Sequence, residues 1–229
     1  MPSTVVYAAP EELRRQSDMT SVQKDDVLEL MLSAASRSID NVCNRPDGFQ
    51  ALSAAATRLY TGSGGAVQLI DETVSVSLVE TKGSPQEATW EAWTSADWLL
   101  ASGDPRIPRF GRTPYTLLLI DPSGDQTRFH GGRSRNTTGF RPIEEEIRAY
   151  GVPTLRVTGR WGYALTPPDT IRQATIIQAA RWLKRGESAW ADSIGDSETG
   201  QVMFKKSLDP DIVLLLKQGR FIRPSLGLM

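Results

Sequence analysis

The stretch Val157-Thr158-Gly159-Arg160-Trp161-Gly162-Tyr163-Ala164, followed shortly by Pro167-Pro168-Asp169, decides how this chain is read. β-Branched residues run into a tryptophan bracketed by glycines. This predicts a strand that stops there and gives way to a short turn. Pro167-Pro168-Asp169 then marks a helix start: aspartate accepts from the free N–H groups of the first turn, and proline has no donor to waste there. The helix it opens, to about residue 185, spreads Ile171, Ala174, Ile176, Ile177, Ala179, Ala180, Trp182 and Leu183 over more than one face. Such a helix is covered from two sides, one by its own core and one by a neighbour.

Towards the N-terminus lies a second decisive run, Leu32-Ser33-Ala34-Ala35-Ser36-Arg37-Ser38-Ile39-Asp40-Asn41-Val42-Cys43-Asn44-Arg45. It belongs to a helix that starts at Asp25 or Asp26 and ends by Asn44, before the turn signal Pro46-Asp47-Gly48. Val27, Leu30, Met31, Ala34, Ala35, Ile39 and Val42 recur at helical spacing and define the expected buried stripe. A shorter helix is predicted after Tyr7-Ala8-Ala9-Pro10, and a last one from Asp209-Pro210-Asp211 to Gly219. Residues 186–200 are expected to form a long polar loop.

Between the helical parts the texture is that of strands: 57–60, 66–70, 73–80, 88–94, 98–101, 115–120 and 154–158, separated by glycine, proline and aspartate turns. Val74-Ser75-Val76-Ser77-Leu78-Val79 alternates with period two, as a half-buried strand does. The expected fold class is α+β: a helical core of two long helices plus shorter ones, with an inserted antiparallel β domain. The domains expected are 1–54 with 160–229 for the helices and the C-terminal tail, and 55–159 for the β-rich insertion.

Both quoted motifs, in this order, resemble the packing signatures of head–tail connector (adaptor) proteins of long-tailed bacteriophages and gene transfer agents. The resemblance covers roughly residues 5–60 and 150–220. It implies a structural virion protein and no enzyme: a homo-oligomeric ring, commonly of twelve copies, below the portal. Such a ring extends the DNA channel and joins the head to the neck and tail. The implied partners are further copies of the chain, the portal protein, and a stopper or tail-completion protein. DNA passes through the lumen without sequence-specific binding. The expected location is the head–tail junction of the virion, with synthesis in the cytoplasm of the bacterial host. Another neck component (a stopper or tail terminator) and, less well supported, a glycan-acting phage enzyme are the alternatives.

Composition narrows the chemistry. With 27 acidic against 26 basic residues the net charge is −1, which gives no global pull towards nucleic acid or an anionic membrane. No apolar run approaches the length needed to cross a bilayer, and the first residues lack a signal-peptide pattern. One cysteine, Cys43, and one histidine, His130, exclude an internal disulfide and Cys/His zinc sites. No catalytic, cofactor or metal residue is therefore assigned. Gly62-Ser63-Gly64-Gly65 lacks the lysine and following helix of a phosphate loop and reads as a hairpin turn.

Two sets of contact residues are expected instead. The tail from 220, with Arg220, Phe221, Ile222, Arg223, Leu226 and Leu228, carries anchors for docking on the portal rather than on its own subunit. Arg128, His130, Arg133, Arg135, Trp182 and Trp190 are expected at subunit or partner interfaces. Charge is also segregated. Asp71, Glu72, Glu80, Glu87, Glu91 and Asp97 precede Arg106, Arg109, Arg112, Arg128, Arg133 and Arg135, which suggests complementary faces between copies.

Overall fold

The computed structural model describes residues 5–17, 25–84, 87–131, 152–187, 193–196, 200–203 and 208–223. The chain divides into two compact units, Met1–Gln50 with Thr166–Met229, and Ala51–Leu165. The first is helical and the second is a β domain inserted into it, so the α+β organisation holds.

The helical unit contains α1 (Pro10–Ser17), α2 (Asp25–Val42), α3 (Asp169–Glu187) and α4 (Pro210–Gln218). Its apolar core joins Leu28, Leu32 and Ala35 of α2 to Ile176, Ala179 and Leu183 of α3, with Leu13 of α1 beside them. The two long helices therefore pack together, as their apolar faces require. The face of α2 turned inward is Leu28, Leu32, Ala35, Ser36, Ile39 and Asp40, so the expected stripe is rotated: Leu30 is 64% exposed, and Val27 and Val42 are exposed too. The stripe shifts because two polar residues, Ser36 and Asp40, have partners inside the unit. α3 also packs against α1 and α4 of the same unit. Ser193–Asp196 (β8) and Gly200–Met203 (β9) form an antiparallel hairpin where a continuous loop was expected.

α4 shows how a short helix is bounded. The Asp209 side chain accepts from the Asp211 N–H at 2.9 Å, and Pro210 occupies the first turn. At the other end the Gly219 N–H donates to the Leu215 carbonyl and the Phe221 N–H to that of Leu216, with Arg220 in the left-handed region at φ 54°. Gly219 is needed for space rather than for φ: a Cβ there would lie 2.3 Å from the Phe221 ring.

The β unit holds β1 (Ala56–Tyr60), β2 (Val67–Thr81), β3 (Glu91–Ala92), β4 (Trp98–Asp104), β5 (Ile107–Phe110), β6 (Tyr115–Ile120) and β7 (Leu155–Trp161). They make one antiparallel sheet in the order β1-β7-β2-β6-β4-β5, with β3 paired to β2. One core cluster gathers Ile70, Val79, Trp93, Leu118, Phe129, Leu155, Val157 and Trp161; a smaller one gathers Ala101, Leu117 and Leu119. β2 is a single fifteen-residue strand, where the sequence suggested two, because bulges between Thr73 and Ser75 and between Val76 and Leu78 bend it without breaking it. β5 was not foreseen: its four residues include Pro108, unusual in a strand unless the strand is an edge, as this one is.

Candidate functional site

The run from Leu32 to Arg45 is a clasp for both ends of the described chain. The Ser36 hydroxyl donates to the Leu32 carbonyl at 2.8 Å and accepts the Tyr7 N–H at 3.2 Å. The Tyr7 phenol donates to Asp40 Oδ1 at 2.6 Å and accepts the Phe49 N–H at 2.7 Å. Arg37 reaches the Val5 carbonyl and lies 3.0 Å from Asp40 Oδ2. Tyr7 and Arg37 thus meet on the buried Asp40 carboxyl, and Tyr7 links it to Ser36 and Phe49.

The C-terminal side is held by the same run. Arg45 Nε donates to the Phe221 carbonyl at 3.0 Å, its guanidinium lies over the Phe49 ring, and the Cys43 carbonyl accepts the Arg223 N–H at 3.1 Å. The Phe49 and Phe221 rings meet edge to face at 5.6 Å. Asn44, at φ 53°, lets the chain leave α2 so that Arg45 turns back towards the helix, its N–H bonded to the Asp40 carbonyl. The sequence signal for this site was the motif itself. What hydropathy could not supply was that its serine, aspartate and arginine point inward.

Electrostatics follow from burial. Burial pushes the Tyr7 phenol and the Asp40 carboxyl above their ordinary ranges. For Asp40 the Tyr7 hydrogen bond and the Arg37 and Arg45 charges partly oppose the rise. Burial likewise pushes the Cys43 thiol up to about 11, so at neutral pH it is an unionised, packed side chain and no nucleophile.

The second motif belongs to the β unit. Trp161 is fully buried, its Nε1–H donates to the Ala56 carbonyl at 2.6 Å, and Arg58 lies over its ring at 4.6 Å. Gly159 backs onto the bulge of β2, where a Cβ would fall 2.5 Å from the Ser75 carbonyl oxygen. Gly162 has φ 133°, and its N–H donates to the Glu72 carbonyl. Each glycine of the motif thus has its own steric reason.

The expected contact residues are scattered. Phe221 is only 8% exposed and Arg223 is tethered through its backbone, so the expectation that the tail leaves its own subunit from residue 220 is corrected: it is folded back as far as 223, because Phe221 completes an aromatic cluster. Arg220 is exposed and Ile222 half-buried. Trp182 is partly buried and packs against the helical core. The His130 carbonyl accepts from the Thr154 hydroxyl, and Arg128 is exposed. Arg133, Arg135, Trp190, Leu226 and Leu228 lie outside the described residues.

The acidic half of the expected charge complementarity is mostly used internally. Asp71 takes Arg58 at 2.7 Å and the Tyr60 hydroxyl at 2.9 Å, and Glu80 takes Arg156 in a two-point pair. Asp97 is buried as a turn cap, held below the usual carboxylate range first by the Thr94 hydroxyl. The tryptophans near it form no open platform. Trp93 stacks on Phe129 at 5.1 Å and donates to Thr81, while Trp90 lies under Lys82 and Arg156.

No protein-family model matches this chain, and no curated protein matches it in sequence. The solved structures similar to this chain include two from gene transfer agent particles. One, a chain of "Neck of empty GTA particle computed with C6 symmetry", is 13% identical and has a TM-score of 0.51, over 99% of this chain and 97% of that one. The other, from "Virion of native gene transfer agent (GTA) particle", is 13% identical with a TM-score of 0.48 over the same shares. Over nearly its whole length the chain shares its fold with a protein from the neck of a gene transfer agent particle.

Proposed function

We propose that this chain is a non-enzymatic structural protein of the virion neck, an adaptor that forms a ring below the portal and passes DNA through its lumen. The observation that carries the reading is the full-length likeness to a neck chain, helical unit and β insertion together. Both motifs support it, because every residue explained in them serves packing. The net charge of −1 suits a conduit, since a strongly basic lining would hold a polyanion by counterion release. Twelve copies would be a multiple of the sixfold symmetry with which that neck was computed.

Labelling this chain in purified particles and imaging them tests the reading. Density at the head–tail junction is expected; label on the capsid shell or on the distal tail would overturn it. The portal-docking segment is then 224–229, because Phe221 belongs to the aromatic cluster. Removing 224–229 should leave a folded chain that no longer joins heads, whereas removing 220–229 should also lower stability. Normal attachment after the shorter deletion would rule out portal docking by these residues.

A further inference from the structure

The β4–β5 hairpin carries side chains that its own fold leaves unused. β5 is an edge strand, bonded to β4 alone. Ile107 is 72% exposed and Phe110 56%, and Arg106, Arg109 and Arg112 beside them are exposed as well. Among the described residues no acidic partner is seen for these guanidinium groups, although the Arg106 backbone N–H donates to Asp104 Oδ1 at 2.8 Å. Successive strand residues point to opposite faces, so Ile107 and Phe110 flank the free edge and both reach whatever covers it. Pro108 has no N–H to offer an added strand, and proteins otherwise protect such edges by laying a helix or loop over them.

The complement is present on the chain. In the first turns of α2, Asp26, Val27, Glu29, Leu30 and Ala34 are exposed while Leu28 and Leu32 point inward. No lysine or arginine occurs from Asp25 to Ser36, so this face combines acid with a leucine 64% exposed. A basic–apolar edge and an acidic–apolar helix face match in both charge and hydropathy.

We propose that the β4–β5 hairpin of one copy docks on α2 of a second copy, with Ile107 and Phe110 against Leu30 and Ala34 and with Arg106 and Arg109 facing Asp26 and Glu29. The two patches differ, so each copy offers both halves. Such a contact propagates head to tail and closes into a ring when the rotation allows. The inference deepens the ring reading and rests on it only in requiring that copies meet.

The test is sedimentation velocity on the full chain across a concentration series, with circular dichroism to confirm folding. Arg109→Glu and Glu29→Arg should each weaken self-association by roughly tenfold or more, and the double variant should recover it, since like charges placed opposite each other are costly. Oxidative cross-linking should join Leu30→Cys to Ile107→Cys only when the two variants are mixed. Association untouched by either reversal would overturn the docking pair and leave the ring standing. A wild-type chain that stays monomeric, with mixed cysteine variants that never cross-link, would overturn it as well, with the neck reading decided separately by particle labelling. Salt-dependent duplex DNA binding lost in Arg109→Glu, with association unchanged, would assign the arginines to nucleic acid instead.

Discussion

The two units depend on polar side chains to different degrees. In the helical unit they point inward and join segments far apart in sequence: Tyr7 to Asp40, and Arg45 to the carbonyl of Phe221. In the β unit strand register already brings distant segments together, and polar pairs such as Glu80–Arg156, across the β2–β7 ladder, and Arg58–Asp71, between the strands on either side of β7, sit on partly exposed surface. A helical bundle has no backbone hydrogen bonds between its elements, so its connections depend on side chains. A sheet has them at every step. Apolar deletions should therefore hurt either unit, while polar deletions should hurt mainly the helical one.

The largest effect is expected from Trp161→Ala. The side chain is fully buried, contacts Tyr60 and donates to the Ala56 carbonyl, so its loss leaves a cavity and an unsatisfied acceptor. A cost of about 3–5 kcal/mol is expected, read by peptide-resolved hydrogen exchange as a loss of protection confined to 51–165. Equal loss in the helical unit would break the comparison, because it would mean that the units do not keep separate cores.

Tyr7→Phe comes next. It keeps the ring but removes the donor to Asp40 and the acceptor for the Phe49 N–H. Leaving two buried groups unsatisfied should cost about 2 kcal/mol, measured by urea denaturation, with faster exchange confined to the helical unit. A change near zero would mean that the clasp is packing alone.

This variant also marks how far the sequence was legible. The elements and their order could be read because periodicity, proline–aspartate starts and glycine stops are local signals. The inward face of α2 could not, because hydropathy assigns Asp40 and Ser36 to water, and only Tyr7, 33 residues from Asp40, reverses that. β5 escaped because four residues with a proline carry no strand pattern. The tail misled for a similar reason: Phe221 reads as a free anchor until Phe49 and Arg45 are placed beside it. The two glycines of the second motif read from sequence only as a strand end, whereas the strand runs through Gly159 and the bulge that makes this glycine necessary lies in another strand.

A smaller, pH-dependent effect sharpens the same contrast. Tyr7 is kept protonated beyond its ordinary value of 10.0, where the unfolded chain would ionise. Its contribution is therefore complete below that pH and declines as pH rises through and beyond it. Asp40 has the same sign at the acid end. Its carboxyl is raised above 3.8 by burial, so stability falls as pH climbs from there towards the folded value and then levels. Asp40→Asn should flatten the acid slope and Tyr7→Phe should remove the helical unit's share of the alkaline one. Slopes unchanged in both variants would disprove the assignment.

The smallest change is expected at Glu80→Gln, the sharpest check on the β unit's surface pairs. Arg156 holds Glu80 by two nitrogens, yet its side chain is about one-third exposed and also rests on Trp90 at 4.8 Å. Without the carboxylate charge the guanidinium keeps its aromatic contact and its access to water, so no buried charge is stranded. Pairs of this kind contribute little because solvent screens them and ordering two long side chains opposes the gain. Strand register adds a further reason: Glu80 and Arg156 are directly opposed on β2 and β7, whose backbone ladder persists without them. The melting temperature of Glu80→Gln should therefore fall less than that of Tyr7→Phe, and the remaining difference from wild type should shrink further in about 1 M salt, where the screening length is roughly 3 Å. A loss larger than that of Tyr7→Phe, persisting in high salt, would show that polar side chains hold the sheet together as they hold the helices, and the distinction between the two units would fail.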